Sequence, residues 1–174
     1  MEYISSDTNV WIDFLQINEL SLPFRLNFTY IMNTDAIDNE LIEPPGLSSS
    51  LVSLGLKPVE LELEELVMAD EWGEKYKRLS RFDRIALAIA KSRGIVLLTG
   101  DRVLRNAAKS EKVIVIGTLG IMDMLLSEKK ISKAQYKDYI KTFKALNRGE
   151  VRLPDDELDH RLDNSWIDDN IINK

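Results

Sequence analysis

Short apolar runs and amphipathic segments alternate along the chain. Five apolar runs predict β-strands, and they cover residues 3–6, 28–32, 59–63, 95–99 and 113–117. The last two runs are continuously apolar, as expected for parallel strands that helices cover on both faces. The pattern therefore predicts a five-stranded sheet that is mostly parallel.

Amphipathic segments with capping residues fill the gaps between these runs. They predict helices over Thr8–Gln16, from Asp35 through Leu41, from Ser80 through Ser92, and over Arg102–Lys109, Leu119–Ser127 and Ser132–Asn147. Proline marks two breaks, at Glu43-Pro44-Pro45-Gly46 and at Lys57-Pro58. Strands that alternate with helices indicate an α/β fold with right-handed crossover connections.

The end of the chain differs from the rest in composition. Pro154 precedes three acidic residues, which is a helix-start signal, and Leu158, Leu162 and Trp166 then follow at helical spacing. We therefore predict one domain over residues 1–149 and an acidic, amphipathic appendix over residues 150–174.

The composition excludes several kinds of site. The chain of 174 residues has no cysteine, which excludes disulfides and thiolate metal sites and favours a reducing compartment. We find neither a signal-peptide pattern at the start nor an apolar run near the ~20 residues that a bilayer span requires. We therefore expect a cytoplasmic protein that does not associate with a membrane.

Charge is distributed unevenly along the chain, although the net charge is −6. Residues 34–74 hold eleven acidic residues and one basic residue, whereas residues 75–112 hold eleven basic and three acidic residues. Because local charge decides where a phosphate backbone binds, the acidic total does not exclude a nucleic-acid partner.

Four acidic residues lie near predicted strand ends. Asp7 and Asp101 come at the ends of the strands at residues 3–6 and 95–99. Asp83 opens an Ala-rich helix, and Glu40 follows the strand at residues 28–32 after a short connection. Ligands collect at the carboxyl ends of parallel strands, and carboxylates gathered there repel one another unless a cation joins them. Since the single His160 is distant, oxygen ligands alone point to Mg²⁺ or Mn²⁺ and to phosphodiester hydrolysis. We call these four residues the acidic quartet.

Each member of the acidic quartet also has a simpler interpretation. Asp7 and Asp101 are suitable helix N-caps, and Ser80 with Asp83 forms a capping-box pattern. Helix capping explains why a single acid stands at the start of a helix. It does not explain why several acids lie at the same edge of one sheet. The combination therefore favours a site.

The fourth position and the polar neighbours leave choices open. Asp38 and Glu43 compete with Glu40, because one helical turn separates the three and helical phase decides. Asn9 and Thr99 can reach the same edge and hold a carboxylate or a metal-bound water, or they can serve ordinary turns.

Three segments resemble the PIN domain family in their order and spacing. They are residues 6–13 (SDTNVWID), 81–90 (RFDRIALAIA) and 97–108 (LLTGDRVLRNAA). Residues 116–120 (IGTLG) resemble the family's segment between the last strand and the last helices, so the resemblance covers about residues 1–130.

The resemblance implies a three-layer α/β/α fold and a nuclease that depends on Mg²⁺ or Mn²⁺. It implies that the catalytic and metal-binding residues are Asp7, Glu40, Asp83 and Asp101. Many PIN domains are ribonuclease toxins of toxin–antitoxin pairs, so RNA is the expected substrate, single-stranded or structured, and an antitoxin is a candidate partner. The choice between RNA and DNA stays open.

Two rival functions follow from the same residues. The first is a non-catalytic PIN-like module that binds RNA or protein. The second is a phosphatase with an aspartyl nucleophile, which Asn9 disfavours because such enzymes use Asp-x-Asp.

Basic residues flank two of the acids and are the candidate contacts to nucleic acid. This basic set consists of Lys75, Lys77, Arg78, Arg81, Arg84, Arg102 and Arg105. Trp72, Tyr76 and Leu79 fall at helical spacing and predict either core packing or the surface of a homodimer. We further hypothesise that the acidic appendix folds over the basic residues 75–112 of its own or a neighbouring subunit and restrains access to them.

Overall fold

The computed structural model describes residues 2–173, which form two compact units. The first unit contains the residues up to Val10 together with Asn27–Gly117, and the second contains Trp11–Leu26 and the residues from Thr118 onward. The unit boundaries do not coincide with the predicted boundary between residues 149 and 150, which stays a prediction.

The first unit contains a five-stranded sheet whose strand pairs are all parallel. The strands are β1 (Glu2–Ser6), β2 (Phe28–Asn33), β3 (Lys57–Val59), β4 (Val96–Leu98) and β5 (Val115–Ile116), in the order β3-β2-β1-β4-β5. Residue Ser6 at the end of β1 pairs with Leu98 at the end of β4. The predicted α/β fold class is confirmed, and the central strand β1 places its carboxyl end beside that of β4.

Two features of the segment that follows β2 differ from the prediction. The third strand is Lys57–Val59 rather than residues 59–63, and Pro58 lies inside it. The proline is tolerated because β3 is an edge strand, where a missing N–H costs no ladder bond. Proline therefore does not break the chain here.

Six helices begin in the first unit. They are α1 (Thr8–Gln16), α2 (Thr34–Glu40), α3 (Leu47–Leu54), α4 (Leu63–Lys75), α5 (Arg81–Ser92) and α6 (Arg102–Ser110). The predicted caps Ser80 and Asp101 are confirmed, whereas α2 is capped by Asn33 rather than Asp35. Helix α3 starts after Gly46 and ends before Gly55, and both glycines have positive φ angles, 87° and 125°.

The core of the first unit forms around α5, which contacts β1, β2, β4 and α4. Its residues Ile85 to Ala90 are all buried. Trp72 and Leu79 belong to this core, and Tyr76 packs against it. The interpretation of these three residues as core is therefore confirmed.

The second unit is helical. Its complete helices are α7 (Thr118–Ser127), α8 (Lys133–Leu146), α9 (Asp155–His160) and α10 (Asn164–Ile167), with a 3₁₀ turn at Pro23–Arg25 and a π-helical turn at Asp168–Ile172. Trp11 stacks on Phe24 with ring centroids 5.3 Å apart, and Phe14 meets Phe143 edge to face at 6.2 Å. Within residues 2–173, no helix combines the length and apolar character that a membrane span requires.

The acidic appendix pairs with α8 inside the second unit. Lys133 binds Asp168 at 2.7 Å, and two further ion pairs join Lys144 to Asp159 and Arg148 to Asp155. These acids are engaged by bases outside residues 75–112. The covering of residues 75–112 by the appendix, of its own or a neighbouring subunit, stays a prediction.

Candidate functional site

The carboxyl ends of β1 and β4 are joined at the start of the site. The N–H of Asp7 donates to the carbonyl oxygen of Leu98 at 2.9 Å, and the N–H of Thr99 donates to the carbonyl oxygen of Ile116 at 2.9 Å. The chain turns from β1 directly into α1 and from β4 into α6. Two acids and their polar neighbours are thereby placed at one edge of the sheet, as the sequence predicted.

Asp7 is held by three hydrogen-bond donors. Its side chain accepts from the Thr8 N–H at 2.7 Å through Oδ1, and from Asn9 Nδ2 at 2.7 Å and Thr99 Oγ1 at 2.8 Å through Oδ2. Asp7 is 6 % exposed. The carboxylate is therefore fixed in orientation and largely removed from water.

Burial raises the pKa of Asp7 to about 7, from an ordinary value of 3.8. The hydrogen bond from Thr99 opposes this rise, and the negative charges of Asp83 and Glu40 add to it. Desolvation contributes more to the raised pKa of Asp7 than repulsion from the other acids does.

Glu40 ends α2 and is bonded to the start of α1. Its Oε2 accepts from Thr8 Oγ1 at 2.6 Å. Burial raises the pKa of Glu40, the Thr8 hydrogen bond lowers it, and the charge of Asp83 raises it. Glu40 is thus bonded to the same residue, Thr8, that binds Asp7.

Thr8 is the residue of this network that the sequence reasoning missed. Its N–H binds Asp7 and its hydroxyl binds Glu40, so one residue orients two members of the acidic quartet. Its place next to Asp7 at the start of a helix was the available signal, because N-terminal helix residues direct N–H and hydroxyl groups toward the strand end.

Asp83 lies at the start of α5 and serves as part of a cap. Its Oδ2 accepts from the Ser80 N–H at 2.7 Å, while its own N–H donates to Ser80 Oγ at 3.0 Å. The charge of Asp83 nevertheless raises the pKa of both Asp7 and Glu40. Asp83 therefore lies within electrostatic reach of both while it caps its helix.

Asp101 is also a cap, and it connects to the others through Thr99. Its Oδ1 accepts from the Leu104 N–H at 2.7 Å, and its N–H donates to Thr99 Oγ1 at 3.0 Å. Asn9 binds the same turn, since its Oδ1 accepts from the Gly100 N–H at 2.9 Å. Asn9 and Thr99 therefore hold Asp7 and the β4 turn together through hydrogen bonds.

The oxygen-only donors suit a hard divalent ion. Among residues 2–173, however, no three acidic or histidine side chains are close enough together to form a metal cage. Mg²⁺ commonly binds through one or two carboxylates and keeps several waters, so it does not require such a cage. The residues thus fit an ion held by few protein ligands.

Members of the basic set differ in how they are engaged. Lys75 donates to Glu111 at 2.6 Å, and Arg84 Nη1 donates to the Ala69 carbonyl oxygen at 2.9 Å. Arg105 Nη1 donates to the Thr99 carbonyl oxygen at 3.3 Å, beside Gly117, where a Cβ would lie 2.8 Å from that nitrogen. Arg105 is thereby tied to the same turn that holds Asp7.

The described helices and parallel sheet define an α/β protein with acidic residues after β1 and β4. The sequence matches a family model described as a PIN domain, DUF3368, over residues 3–165. The chain belongs to this family, whose members are generally nucleases and typically use divalent metals. Comparison with curated proteins and with solved structures gave no match.

Proposed function

We propose that this protein is an endoribonuclease that depends on Mg²⁺ or Mn²⁺. The observation that carries the proposal is Asp7, a buried carboxylate with a raised pKa at the joined ends of β1 and β4, with the charges of Glu40 and Asp83 acting on it. A buried acid of this kind in a PIN domain is a strong candidate for a functional group.

The acidic quartet would hold the ion in this proposal. A bound divalent ion lowers the pKa of a water and offsets charge on the phosphate and leaving oxygens. Asp7 and Asp101 are the proposed direct ligands, and Asp83 and Glu40 hold a second ion or its waters. Thr8, Asn9 and Thr99 fix the Asp7 and Glu40 carboxylates in place through the hydrogen bonds described above.

The exposed members of the basic set are the proposed contacts to the RNA backbone. Arg78, Arg81, Arg102 and Arg105 are exposed, and Arg105 is bound at the site itself. Phosphate contacts of this kind position a strand without reading its sequence. We propose that Lys75, Lys77 and Arg84 contribute less, because other parts of the protein already engage them.

The test is cleavage of a labelled single-stranded RNA in Mn²⁺ by the Asp7→Asn variant. We expect activity to fall by at least a hundredfold, because the variant removes the charge that would bind the ion. Asp35→Asn, which neutralises an exposed acid at the start of α2, is the control and should retain activity. Undiminished cleavage by Asp7→Asn would overturn the proposal.

A non-catalytic binding module is the second candidate. It is favoured by the caps, since Asp83 and Asp101 each use a carboxylate oxygen to hold a helix N-terminus. Calorimetric titration with Mn²⁺ separates the two candidates. Binding heat that Asp7→Asn abolishes supports the nuclease, whereas no heat and no thermal stabilisation support the module.

We further propose that the nuclease is the toxin of a toxin–antitoxin pair and acts in the cytoplasm, as a homodimer. Its expression should then arrest the growth of a bacterial host, and Asp7→Asn should relieve the arrest. Growth that is unaffected by the active protein would remove the toxin role while leaving the nuclease proposal intact.

A further inference from the structure

Helix α4 places apolar side chains toward solvent and a carboxylate in the protein interior. Leu63 is 77 % exposed, Leu66 44 % and Val67 48 %, whereas Glu65 is fully buried. The three exposed residues lie at spacings of three and four, so they form one stripe on the helix surface. We call Leu63, Leu66 and Val67 the α4 stripe.

The inward position of Glu65 is stabilised by a complete set of partners. Arg93 Nε donates to Glu65 Oε1 at 2.6 Å, and Arg93 Nη2 donates to Oε2 at 2.9 Å. Glu65 Oε2 also accepts from the Glu62 N–H at 2.9 Å, which completes a capping box. Polar contacts therefore hold Glu65 inward on the same side as the core residues Ala69 and Trp72, while the α4 stripe remains largely exposed to solvent.

Acidic side chains lie beside two residues of the α4 stripe, Leu63 and Val67. A shallow depression of about 620 Å³ is lined by Glu62, Leu63, Glu64, Val67, Met68 and Glu71. The stripe lies within residues 34–74, where acidic residues outnumber basic ones eleven to one. An apolar surface with a polar rim is typical of a protein interaction site.

We propose that the α4 stripe docks an amphipathic helix from another protein, with apolar residues on one face and Lys or Arg on its flanks. The apolar face would cover Leu63 and Val67, and the basic flanks would complement the glutamates. A second copy of this chain is disfavoured, because a twofold contact would bring one rim of glutamates against the other. The proposal does not depend on nuclease activity.

The test is binding of a synthetic helical peptide with leucines on one face and lysines on its flanks, measured by fluorescence anisotropy. The Leu63→Ser/Val67→Ser double variant should bind at least tenfold more weakly than the wild type, and Glu71→Gln should weaken binding several-fold. A peptide with glutamate in place of lysine should bind at least tenfold more weakly to the wild type.

Val52→Ser is the matched control, because Val52 is an equally exposed apolar residue on α3. It should bind the lysine peptide as the wild type does. Equal binding by the double variant would overturn the proposal. Sedimentation that shows a wild-type dimer lost in the double variant would also overturn it, by assigning the α4 stripe to a second copy.

Discussion

At the residue scale, Thr8 determines how two acids of the quartet are presented. The Asp7 and Glu40 carboxylates come from different elements, the end of β1 and the end of α2, yet both accept from Thr8. Carboxylates that share a site repel one another, so fixed donors are needed to hold them in the absence of a cation. Thr8 and Thr99 supply such donors without adding charge.

Variants of Glu40 and Asp38 test which acid of α2 belongs to the acidic quartet. Glu40→Gln should weaken Mn²⁺ binding and lower RNA cleavage by at least tenfold, because Glu40 faces the other acids and bonds Thr8. Asp38→Asn removes the same charge from an exposed position on the same helix and should change neither. Calorimetry and a cleavage assay measure the two effects. A larger loss in Asp38→Asn would move the site to the other face of α2.

At the scale of elements, α1 and α7 are joined by a carboxylate inside the second unit. Asp13 of α1 accepts a hydrogen bond from the hydroxyl of Thr118, the first residue of α7. Burial raises the pKa of Asp13 to about 6, and the Thr118 hydrogen bond opposes the rise. The folded protein therefore keeps the Asp13 proton at pH values where the unfolded chain has released it.

This pKa shift makes folding stability depend on pH. Between about pH 4 and pH 6 only the unfolded chain loses the proton, so the free energy of unfolding should fall as pH rises, by about 1–3 kcal/mol from this group. Asp13→Asn should remove that part of the slope in urea unfolding followed across the same range. Asp156→Asn, at an exposed position in the same unit, is the control. A slope unchanged by Asp13→Asn would contradict the prediction.

The sequence predicted elements well where capping and apolar pattern agree. Helix α5 follows its capping box and buries a continuous run of residues, so both signals point to the same helix. Helix α4 gives the opposite signals, because its buried face contains Glu65 and its exposed face contains Leu63 and Val67. The alternation in residues 59–63 favoured a strand there, whereas the helix begins at Leu63 behind the capping box of Glu62 and Glu65. Arg93, which is distant in sequence, satisfies the buried Glu65.

The acids of the candidate site follow the same logic. Asp7 and Asp101 were predictable because each comes shortly after the end of a strand. Parallel strands bring their carboxyl ends to one edge of the sheet. The side of α2 on which Glu40 lies depends on where the helix begins. The N-cap is Asn33 rather than Asp35, and it sets that start. Contacts such as Thr8 to Glu40 depend on tertiary packing, which local patterns do not encode.

At the scale of the whole molecule, charge is sorted between segments. The largest basic excess lies in residues 75–112, whereas two lysines of α8, Lys133 and Lys144, pair with acids of the appendix. Exposed ion pairs of this kind add little to stability, but they reduce the positive potential along α8. The distribution leaves the basic set as the favoured surface for a polyanion.

This sorting predicts how RNA binding depends on salt. Affinity for a single-stranded RNA should fall with a logarithmic slope of about −0.7 for each phosphate contact, so four exposed arginines give roughly −3. Arg102→Gln should make the slope less steep by about 0.7, the value of one phosphate contact. The measurement is made with metal absent to prevent cleavage. Lys141→Gln removes the same charge from α8 and should leave the slope unchanged. Each variant removes one positive charge, so the two differ only in where that charge lies. Equal changes in the salt slope would therefore show that binding follows net charge rather than the basic set.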